Sequence, residues 1–329
     1  MKNVINLSND PYLNMATEEY VLTTLSKEED CFMLWQNRPA IIIGRHQNAW
    51  EEVDSEYVKE HNIAIVRRLT GGGAVYHDLG NINFTFVVKD DGAGFDFARF
   101  ARPIVWALAQ LGVDAEASGR NDILIDGRKF SGNSEYRQGD RLLHHGTLLF
   151  NSDLSVLGKA LRVKPHKIAS KGVKSVRSRV TNIAEYLTQP VTQEQFRNAV
   201  MEAVTAEFGA ELHDYHLTQE DQAAIQQLRA NKYATWEWNY GQAPKFNIQR
   251  SARFSFGEVD VRLDVVNGHI RACTIYGDFF SHGDINQLAT KLLDVPYERQ
   301  TLETTIKGLE LEQYFAELSP EQFLQLLID

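Results

Sequence analysis

Residues 67–78 read RRLTGGGAVYHD and carry the densest pattern of the chain. They lie between two runs whose β-branched and aromatic residues predict strands, residues 63–67 and 81–88. Three successive glycines allow positive φ angles and bring backbone N–H groups close to an anion, while Arg67 and Arg68 supply fork-shaped donors. An isolated GGG is more often a mobile turn beside solvated arginines. The paired arginines and the following His-Asp instead favour a bend that holds a phosphate.

The spacing of these glycines excludes two familiar nucleotide-binding signatures. The chain contains no GxxxxGK followed by Ser or Thr, and the glycines at 71–73 do not follow GxGxxG. P-loop and dinucleotide-binding folds are therefore not indicated.

Residues 119–132 read GRNDILIDGRKFSG and predict a β-hairpin. The Asp-Gly pair at 126–127 is a strong signal for a two-residue turn between strands. Such a turn pairs Asp122 with Ser131, so we expect Asp122, Lys129 and Ser131 to line one face of the sheet. An exposed hairpin lysine with an acidic partner is common and contributes little to stability. The pattern alone therefore leaves a structural interpretation open.

Two further segments complete the polar pattern. Residues 142–150 predict a strand beside the hairpin and contain His144 and His145, which are more often structural than catalytic. Residues 162–179 hold seven lysines and arginines and no acidic residue. A solvated charge run is the default interpretation of such a segment. With its Gly and Ser content it also fits a loop that closes over a polyphosphate.

Capping residues, alternating hydrophobicity and turn residues predict the positions of several helices and strands. Asp10-Pro11 predicts a helix start, with the helix ending near Leu25. The alternation at 81–88 predicts a half-buried strand. A capping box at residues 192–195 begins a helix that Gly209 ends, and Asn-Gly at 267–268 predicts a hairpin.

Composition and length indicate an α+β protein of two domains. The 329 residues are 43% hydrophobic and exceed the usual length of one domain. Strands and helices alternate without regular βαβ units. Gly and Pro near residues 241–244 suggest a boundary, so we expect a large domain at 1–246 and a smaller one at 250–329.

Net charge and cysteine content indicate which binding partners and which cellular compartment to expect. The formal net charge of −10 argues against general binding to nucleic acid or to an acidic membrane surface. No apolar stretch is long enough to span a bilayer, and no export signal is evident. The only two cysteines, Cys31 and Cys273, lie far apart in apolar stretches. We therefore expect a soluble protein of the reducing cytoplasm.

Taken in order, these segments resemble the lipoate-protein ligases of the biotin/lipoate ligase superfamily. The runs that carry the likeness are RRLTGGGAVYHDLGN, SGRNDILIDGRKFSGNS, HHGTLLFNSDL and KGVKSVRSRVTN, and the likeness extends over nearly the whole chain. The resemblance implies a mixed-sheet catalytic domain followed by a small α+β accessory domain.

The resemblance also implies a set of site residues, with Lys129 as the catalytic residue. Those implied to bind ATP or the adenylate are Arg68, Gly71, Gly72, Gly73, Ala74, Val75, Tyr76, Asp122, Lys129, Lys171, Gly172 and Ser178. Those implied to bind lipoate are Arg68, Gly73, His77, Lys129 and His145. Asp122 is further expected to support Mg²⁺ or to orient Lys129.

The implied reaction has two steps. Lipoate attacks the α-phosphate of Mg·ATP, releasing pyrophosphate, and a carrier lysine then attacks the lipoyl-adenylate, releasing AMP. The implied partners are lipoyl carrier domains, namely E2 subunits of 2-oxoacid dehydrogenase complexes or the glycine cleavage H protein, and we expect a monomer.

Three alternatives stay open. An ATP-independent transferase would pass lipoyl or octanoyl groups between carriers through a cysteine thioester. A biotin ligase would share the chemistry, but its GRGRxGR-like run is replaced here by RRLTGGGAVYHD. A non-catalytic carrier-binding protein would have no need of Arg68, the glycines and Lys129.

Overall fold

The computed structural model describes residues 1–90, 92, 96–118, 121–161, 180–209, 211–240, 246–281, 283–315 and 317–328. Backbone contacts divide the chain into two units. The first comprises residues 1–42, 50–67 and 75–239, and the second comprises residues 43–49, 68–74 and 240–329. The predicted basic loop, including Lys171, Gly172 and Ser178, lies outside the described residues. The predicted boundary between 246 and 250 stays a prediction.

The strands are β1 (Lys2–Ile5), β2 (Cys31–Trp35), β3 (Ala40–Ile43), β4 (Ala64–Arg67), β5 (Val75–His77), β6 (Asn81–Lys89), β7 (Glu116–Ser118), β8 (Asp122–Ile125), β9 (Arg128–Gln138), β10 (Arg141–Leu149), β11 (His213–His216), β12 (Ile248–Phe254), β13 (Gly257–Val266) and β14 (His269–Gly277).

The α-helices are α1 (Pro11–Thr23), α2 (Ala49–Glu52), α3 (Ser55–Glu60), α4 (Phe97–Gln110), α5 (Leu157–Ala160), α6 (Gln193–Phe208), α7 (Gln219–Leu228), α8 (Trp236–Asn239), α9 (Ile285–Lys291), α10 (Arg299–Lys307) and α11 (Pro320–Ile328). Short 3-10 turns lie at Leu25–Lys27, Ile183–Glu185 and Leu311–Gln313, and a π turn lies at Arg229–Tyr233.

The first unit is built on an eight-stranded mixed sheet with the order β11-β1-β2-β6-β10-β9-β8-β7. β1 is parallel to both β11 and β2, whereas β2, β6, β10, β9, β8 and β7 pair antiparallel in succession. A second sheet has the order β4-β3-β5. This mixture confirms the predicted α+β class.

Capping residues set the helix ends as the sequence predicts. Asp10 accepts a hydrogen bond from the Tyr12 N–H and starts α1. Thr192 and Gln195 form the reciprocal capping box of α6, which ends at Gly209 with φ of 59°. Each side chain satisfies N–H groups that have no partner within their own helix.

The central strand β6 departs from the prediction, because residues 81–88 are buried on both faces rather than one. Ile82, Phe84 and Phe86 enter a core completed by α4 and α6. On the other face, Thr85 donates to Glu18 of α1. The polar residues of the alternating pattern therefore face a helix and not solvent.

The second unit contains a three-stranded antiparallel sheet, β12-β13-β14, and helices α9 to α11. Asn267 and Gly268 form the predicted hairpin turn, with φ angles of 52° and 75°. Its core includes Val259, Leu263 and Phe315. Within the described residues, we find no helix both long and apolar enough to cross a membrane.

Helix α4 provides a direct test of the core of the first unit. Phe100 is fully buried and packs on Phe86 with ring centroids 5.2 Å apart, whereas Trp106 on the same helix is 43% exposed. We expect Phe100→Ala to lower the free energy of unfolding by about 3–5 kcal/mol, because it leaves a cavity in a packed core. The matched control Trp106→Ala should cost about 1 kcal/mol or less. Urea unfolding measures both, and equal losses would contradict this description of the core.

Candidate functional site

An exposed ion pair marks the hairpin of β8 and β9. The Lys129 Nζ lies 2.7 Å from Asp122 Oδ1, and the two side chains are 34% and 39% exposed. A pair as exposed as this contributes only about 0–1 kcal/mol to stability. Its importance is that it holds an ammonium group in a defined place at the surface of the sheet.

A β-bulge sets the register of this hairpin. Lys129 pairs with Leu124, but Ser131 pairs with Ile123 and Gly132 with Asp122, so Phe130 is the extra residue. The predicted pairing of Asp122 with Ser131 is therefore wrong, and so is the expectation that Ser131 shares their face. Ser131 is fully buried and accepts a hydrogen bond from Asn133 Nδ2 at 3.3 Å. The extra residue shifts all later side chains relative to the partner strand.

Gly132 provides the space in which the lysine lies. A Cβ atom at residue 132 would be 2.7 Å from Lys129 Nζ and 2.9 Å from its Cε. Carbon atoms do not approach so closely, so any larger residue would displace the ammonium. Gly132 thus lets Lys129 lie across the strand toward Asp122.

The chain returns to this lysine immediately after the basic segment. Thr181 N–H donates to the Lys129 carbonyl at 2.9 Å, and Val180 forms a parallel bridge with Lys129. Arg128 Nη2 donates to the Val180 carbonyl at 2.9 Å. Val180 and Thr181, which follow the segment 162–179 in the sequence, are therefore fixed on the backbone of Lys129, a non-local contact that no local pattern in the sequence indicates.

A buried polar cluster surrounds His145 on the face of the sheet covered by α1. Glu18 Oε1 lies 2.8 Å from His145 Nδ1 and accepts from Thr85 Oγ1 at 2.7 Å. Trp35 Nε1 donates to the same Thr85 oxygen at 2.9 Å. Glu18 was not predicted from the sequence, although the buried residues Asn14, Thr17 and Glu18 follow helical spacing and mark a polar inward face.

His77 joins this cluster through Trp35. Their rings meet edge to face with centroids 6.0 Å apart. Asn37 Oδ1 accepts from Asn14, so its Nδ2 is oriented to donate to His77 Nδ1 at 3.0 Å. The two histidines predicted to bind the same ligand, His77 and His145, are thus joined by one network of buried side chains.

The triglycine bend, residues 71–73, belongs to the second unit, and the Arg68 side chain donates hydrogen bonds to its carbonyl groups. The buried guanidinium donates to Thr70 Oγ1 at 2.9 Å, to the Gly71 carbonyl at 2.6 Å and to the Gly73 carbonyl at 2.9 Å. Gly72 alone of the three glycines has a positive φ, 90°. Arg68 therefore stabilises the shape of the bend.

Close backbone contacts leave no room for a side chain at Gly71 or Gly44. A Cβ atom at Gly71 would lie 2.3 Å from the Phe279 carbonyl oxygen, and one at Gly44 would lie 2.0 Å from the Gly72 oxygen. The Gly72 N–H donates to the Phe279 carbonyl at 3.3 Å. His46 stacks on the Phe279 ring at 4.8 Å. The bend is thus packed directly against the chain near Phe279.

Arg67 does not act as the sequence suggested. Its Nε donates to the Trp238 carbonyl and its Nη2 to the Asn239 carbonyl, both at 2.9 Å. The Trp238 indole N–H donates back to the Arg67 carbonyl at 2.9 Å. Arg67 therefore links β4 to residues 238–239. The expectation that both arginines face a phosphate is wrong for Arg67. Downstream of the bend, Val75, Tyr76 and His77 form β5, which pairs with β3.

His144 faces the opposite side of β10 from His145. It lies in the aromatic core, stacked on Phe100 at 4.3 Å, with Nδ1 2.9 Å from Glu135 Oε1. Burial raises the pKa of Glu135 to about 8 and lowers the pKa of His144. Among the described residues, no group of three or more His, Cys, Asp or Glu side chains could hold a metal ion.

Comparison with known proteins gives a consistent result. Residues 10–205 match the family model of the lipoyl protein ligase A/B catalytic domain, and residues 243–327 match that of the bacterial lipoate protein ligase C-terminus. The chain is 46% identical to the lipoate-protein ligase LplJ of Bacillus subtilis (strain 168) over 322 residues, covering 97% of each chain.

Solved structures agree with this match. The structure of P. falciparum LipL1 in complex with lipoate has a TM-score of 0.81 at 26% identity and covers 100% of this chain and 98% of its own. A bipartite lipoate protein ligase from Thermoplasma acidophilum, from a structural analysis of the ligase and its E2 lipoyl domain, has a TM-score of 0.66 at 29% identity, covering 75% of this chain and 98% of its own. A lipoate-protein ligase A bound with ATP has a TM-score of 0.64 at 27% identity, covering 74% and 98%.

The motif runs, the mixed sheet with its small C-terminal antiparallel sheet, and both family models agree, and the chain belongs to the lipoate-protein ligase family.

Proposed function

We propose that this protein activates free lipoate with ATP and transfers the lipoyl group to a lysine of a carrier protein. The observation that carries the proposal is the Lys129 ammonium, held over Gly132 beside Asp122 in a chain of the lipoate-protein ligase family. Support for the two small substrates comes from relatives with solved structures, one in complex with lipoate and another bound with ATP.

Lys129 is proposed to act as an electrostatic clamp. In the first step a carboxylate oxygen of lipoate bonds to the α-phosphorus as the bond to pyrophosphate breaks. In the second step a carrier amine attacks the acyl carbon, and AMP leaves. Both steps increase negative charge on phosphoryl and acyl oxygens, so a fixed ammonium stabilises the transition states more than the ground states.

The bend and the strand that follows it are proposed to bind the nucleotide. Arg68 fixes the carbonyls at Gly71 and Gly73, and backbone N–H groups of the bend are the proposed phosphate donors. The Gly72 N–H already donates to Phe279, so this hydrogen bond must open before Gly72 binds an anion. Lys171, Gly172 and Ser178 are proposed to contact the adenylate. The attachment of Val180 and Thr181 to Lys129 supports this role.

The cluster of His77, His145, Glu18 and Trp35 is proposed to bind lipoate. Trp35 supplies an apolar ring, and the histidines supply polar groups, with His145 oriented by Glu18 at 2.8 Å. Apolar walls with few polar groups are typical of small-molecule sites.

Asp122 is proposed to support Mg²⁺ that enters with ATP. A single carboxylate suits this role, because Mg²⁺ is usually held by one or two carboxylates together with substrate phosphates and water. Bound there, the ion would neutralise phosphate charge. Asp122 in this structure orients Lys129, and both roles remain consistent with its exposure.

Carrier domains of E2 subunits and the glycine cleavage H protein are the proposed partners. Support comes from the structural analysis of the Thermoplasma ligase and its E2 lipoyl domain as one lipoylation system. A monomeric, cytoplasmic protein stays our expectation.

The state of the cysteines weighs against the ATP-independent transferase. That reaction needs a thiolate near the site. Burial raises the pKa of both Cys31 and Cys273 to about 12, so each is a neutral thiol near neutral pH. Since the chain has only these two cysteines, ligation through an adenylate is favoured.

Mass spectrometry of apo carrier domains tests the proposed function. After incubation with the protein, Mg·ATP and lipoate, we expect the mass increase of one lipoyl group and none when ATP is omitted. Modification without ATP, using a lipoylated or octanoylated donor domain, would support the transferase instead. A mass increase with biotin in place of lipoate would support a biotin ligase.

Replacement of the lysine is the first prediction for this reaction. Lys129→Ala should fold normally and release pyrophosphate roughly a hundred- to a thousandfold more slowly than wild type, because one preorganised donor is lost. Lys89→Ala is the matched control, since Lys89 is exposed at the end of β6 and should leave the rate unchanged. A near-normal rate for Lys129→Ala contradicts the clamp.

Replacement of the glycine under the lysine is the second prediction. Gly132→Ala should displace the ammonium, and a shift of about 1 Å costs on the order of a hundredfold in rate. The melting temperature should change little, because the displaced atoms are the end of a flexible chain. Gly158→Ala, where a Cβ atom meets no neighbour within 4 Å, is the control. Wild-type activity in Gly132→Ala would show that the position of the ammonium is unimportant.

A further inference from the structure

We propose that buried Glu135, acting through His144 and Asn133, is a positioning residue for the Lys129–Asp122 pair. This inference rests on the proposed function and adds to it a residue that contacts neither substrate. The evidence is a continuous chain of hydrogen bonds from β10 through β9 to Asn121, the residue before β8.

The chain begins in the core. Glu135 and His144 lie opposite each other on β9 and β10, with exposures of 1% and 0%. Glu135 Oε1 lies 2.9 Å from His144 Nδ1, and His144 Nε2 lies 3.2 Å from Asn133 Oδ1. Phe84 and Phe100 stack on the imidazole. An acid and an imidazole thus occupy a site whose neighbours would suit apolar side chains, and burying them costs free energy.

The chain ends at the candidate site. Asn133 N–H donates to the Asn121 carbonyl at 2.9 Å, and Asn133 Nδ2 donates to the same oxygen at 3.1 Å. Asn121 Nδ2 donates back to the Asn133 carbonyl at 2.9 Å. Asn121 directly precedes Asp122, and Asn133 directly follows Gly132, over which Lys129 lies. Three hydrogen bonds between Asn121 and Asn133 therefore fix the backbone beside Asp122 and beside Gly132.

For a neutral imidazole, the hydrogen bonds determine where the protons are. Because Asn133 Nδ2 donates to Asn121, its Oδ1 is an acceptor, and His144 Nε2 must carry the hydrogen. A neutral imidazole with hydrogen on Nε2 has a lone pair on Nδ1. Glu135 must then be the donor to Nδ1, as a protonated acid.

The electrostatic surroundings favour this neutral arrangement. Burial is the main cause that raises the pKa of Glu135 to about 8. Arg137 and a backbone hydrogen bond at Asp96 lower this pKa, and the charges of Asp96 and Asp90 raise it. Burial also lowers the pKa of His144, as does His145, against Asp96. Arg137 is itself paired with Asp90 at 3.0 Å.

Loss of the Glu135 proton would disturb the site through this chain. A carboxylate facing the Nδ1 lone pair is repulsive, so the hydrogen of the imidazole would move to Nδ1. Nε2 would then face Asn133 Oδ1 as a second acceptor, and the amide would have to turn away from Asn121. The proton is held below the raised pKa and lost as pH rises through it, so the rate should fall on the alkaline side.

The experiment compares wild type, Glu135→Gln and Glu135→Ala by pyrophosphate release at about pH 6.5 and about pH 9.5. Glutamine donates to Nδ1 at every pH, so the ratio of the wild-type rate to the Glu135→Gln rate should fall by about tenfold between these values. Glu135→Ala should lower kcat at both pH values with little change in KM for ATP, and glutamine should restore it at the lower pH.

A second readout does not depend on activity. The nitrogen chemical shifts of His144 should show hydrogen on Nε2 in wild type at about pH 6.5 and on Nδ1 at about pH 9.5, with no change in Glu135→Gln. A parallel pH decline in wild type and Glu135→Gln, a wild-type rate in Glu135→Ala, or hydrogen on Nδ1 at the lower pH would each overturn the inference. Absence of pyrophosphate release from wild type at the lower pH would contradict the proposed function itself, and this inference with it.

Discussion

The proposed site depends on one geometric constraint, the bulge that sets the ammonium of Lys129 across Gly132 and against Asp122. The ion pair is too exposed to stabilise the fold appreciably. Its value is positional, because a charge held in place before the substrate arrives needs no reorganisation during the reaction. Asn121 and Asn133 hold the strands on either side, and Thr181 bonds to the lysine carbonyl.

Both faces of the large sheet in the first unit bury polar side chains. On the helix-covered face of the sheet, His145 contacts Glu18 of α1, and on the aromatic face His144 contacts Glu135. Burying a polar group costs free energy unless the group is hydrogen-bonded. A network in which every group is hydrogen-bonded keeps its side chains in one arrangement. The sheet thereby gives fixed orientations to side chains near both the proposed lipoate site and the proposed clamp.

The sequence predicted those features that local chemistry determines. Asp126-Gly127 and Asn267-Gly268 adopt positive φ and make hairpins, and Thr192 with Gln195 begins a helix. It did not predict features that depend on distant packing. The bulge at Phe130 requires the core below it, Glu18 meets partners on strands more than sixty residues away, and Arg67 binds residues 238–239. Periodicity places a side chain on a face, but the partner comes from the tertiary fold.

A crystal structure with a non-reactive analogue of lipoyl-adenylate is the most direct measurement of the central claim. We expect Lys129 Nζ to lie within about 3 Å of both a phosphoryl oxygen and the acyl oxygen of the analogue. An analogue bound elsewhere, or bound while the ammonium of Lys129 contacts neither oxygen, would contradict it.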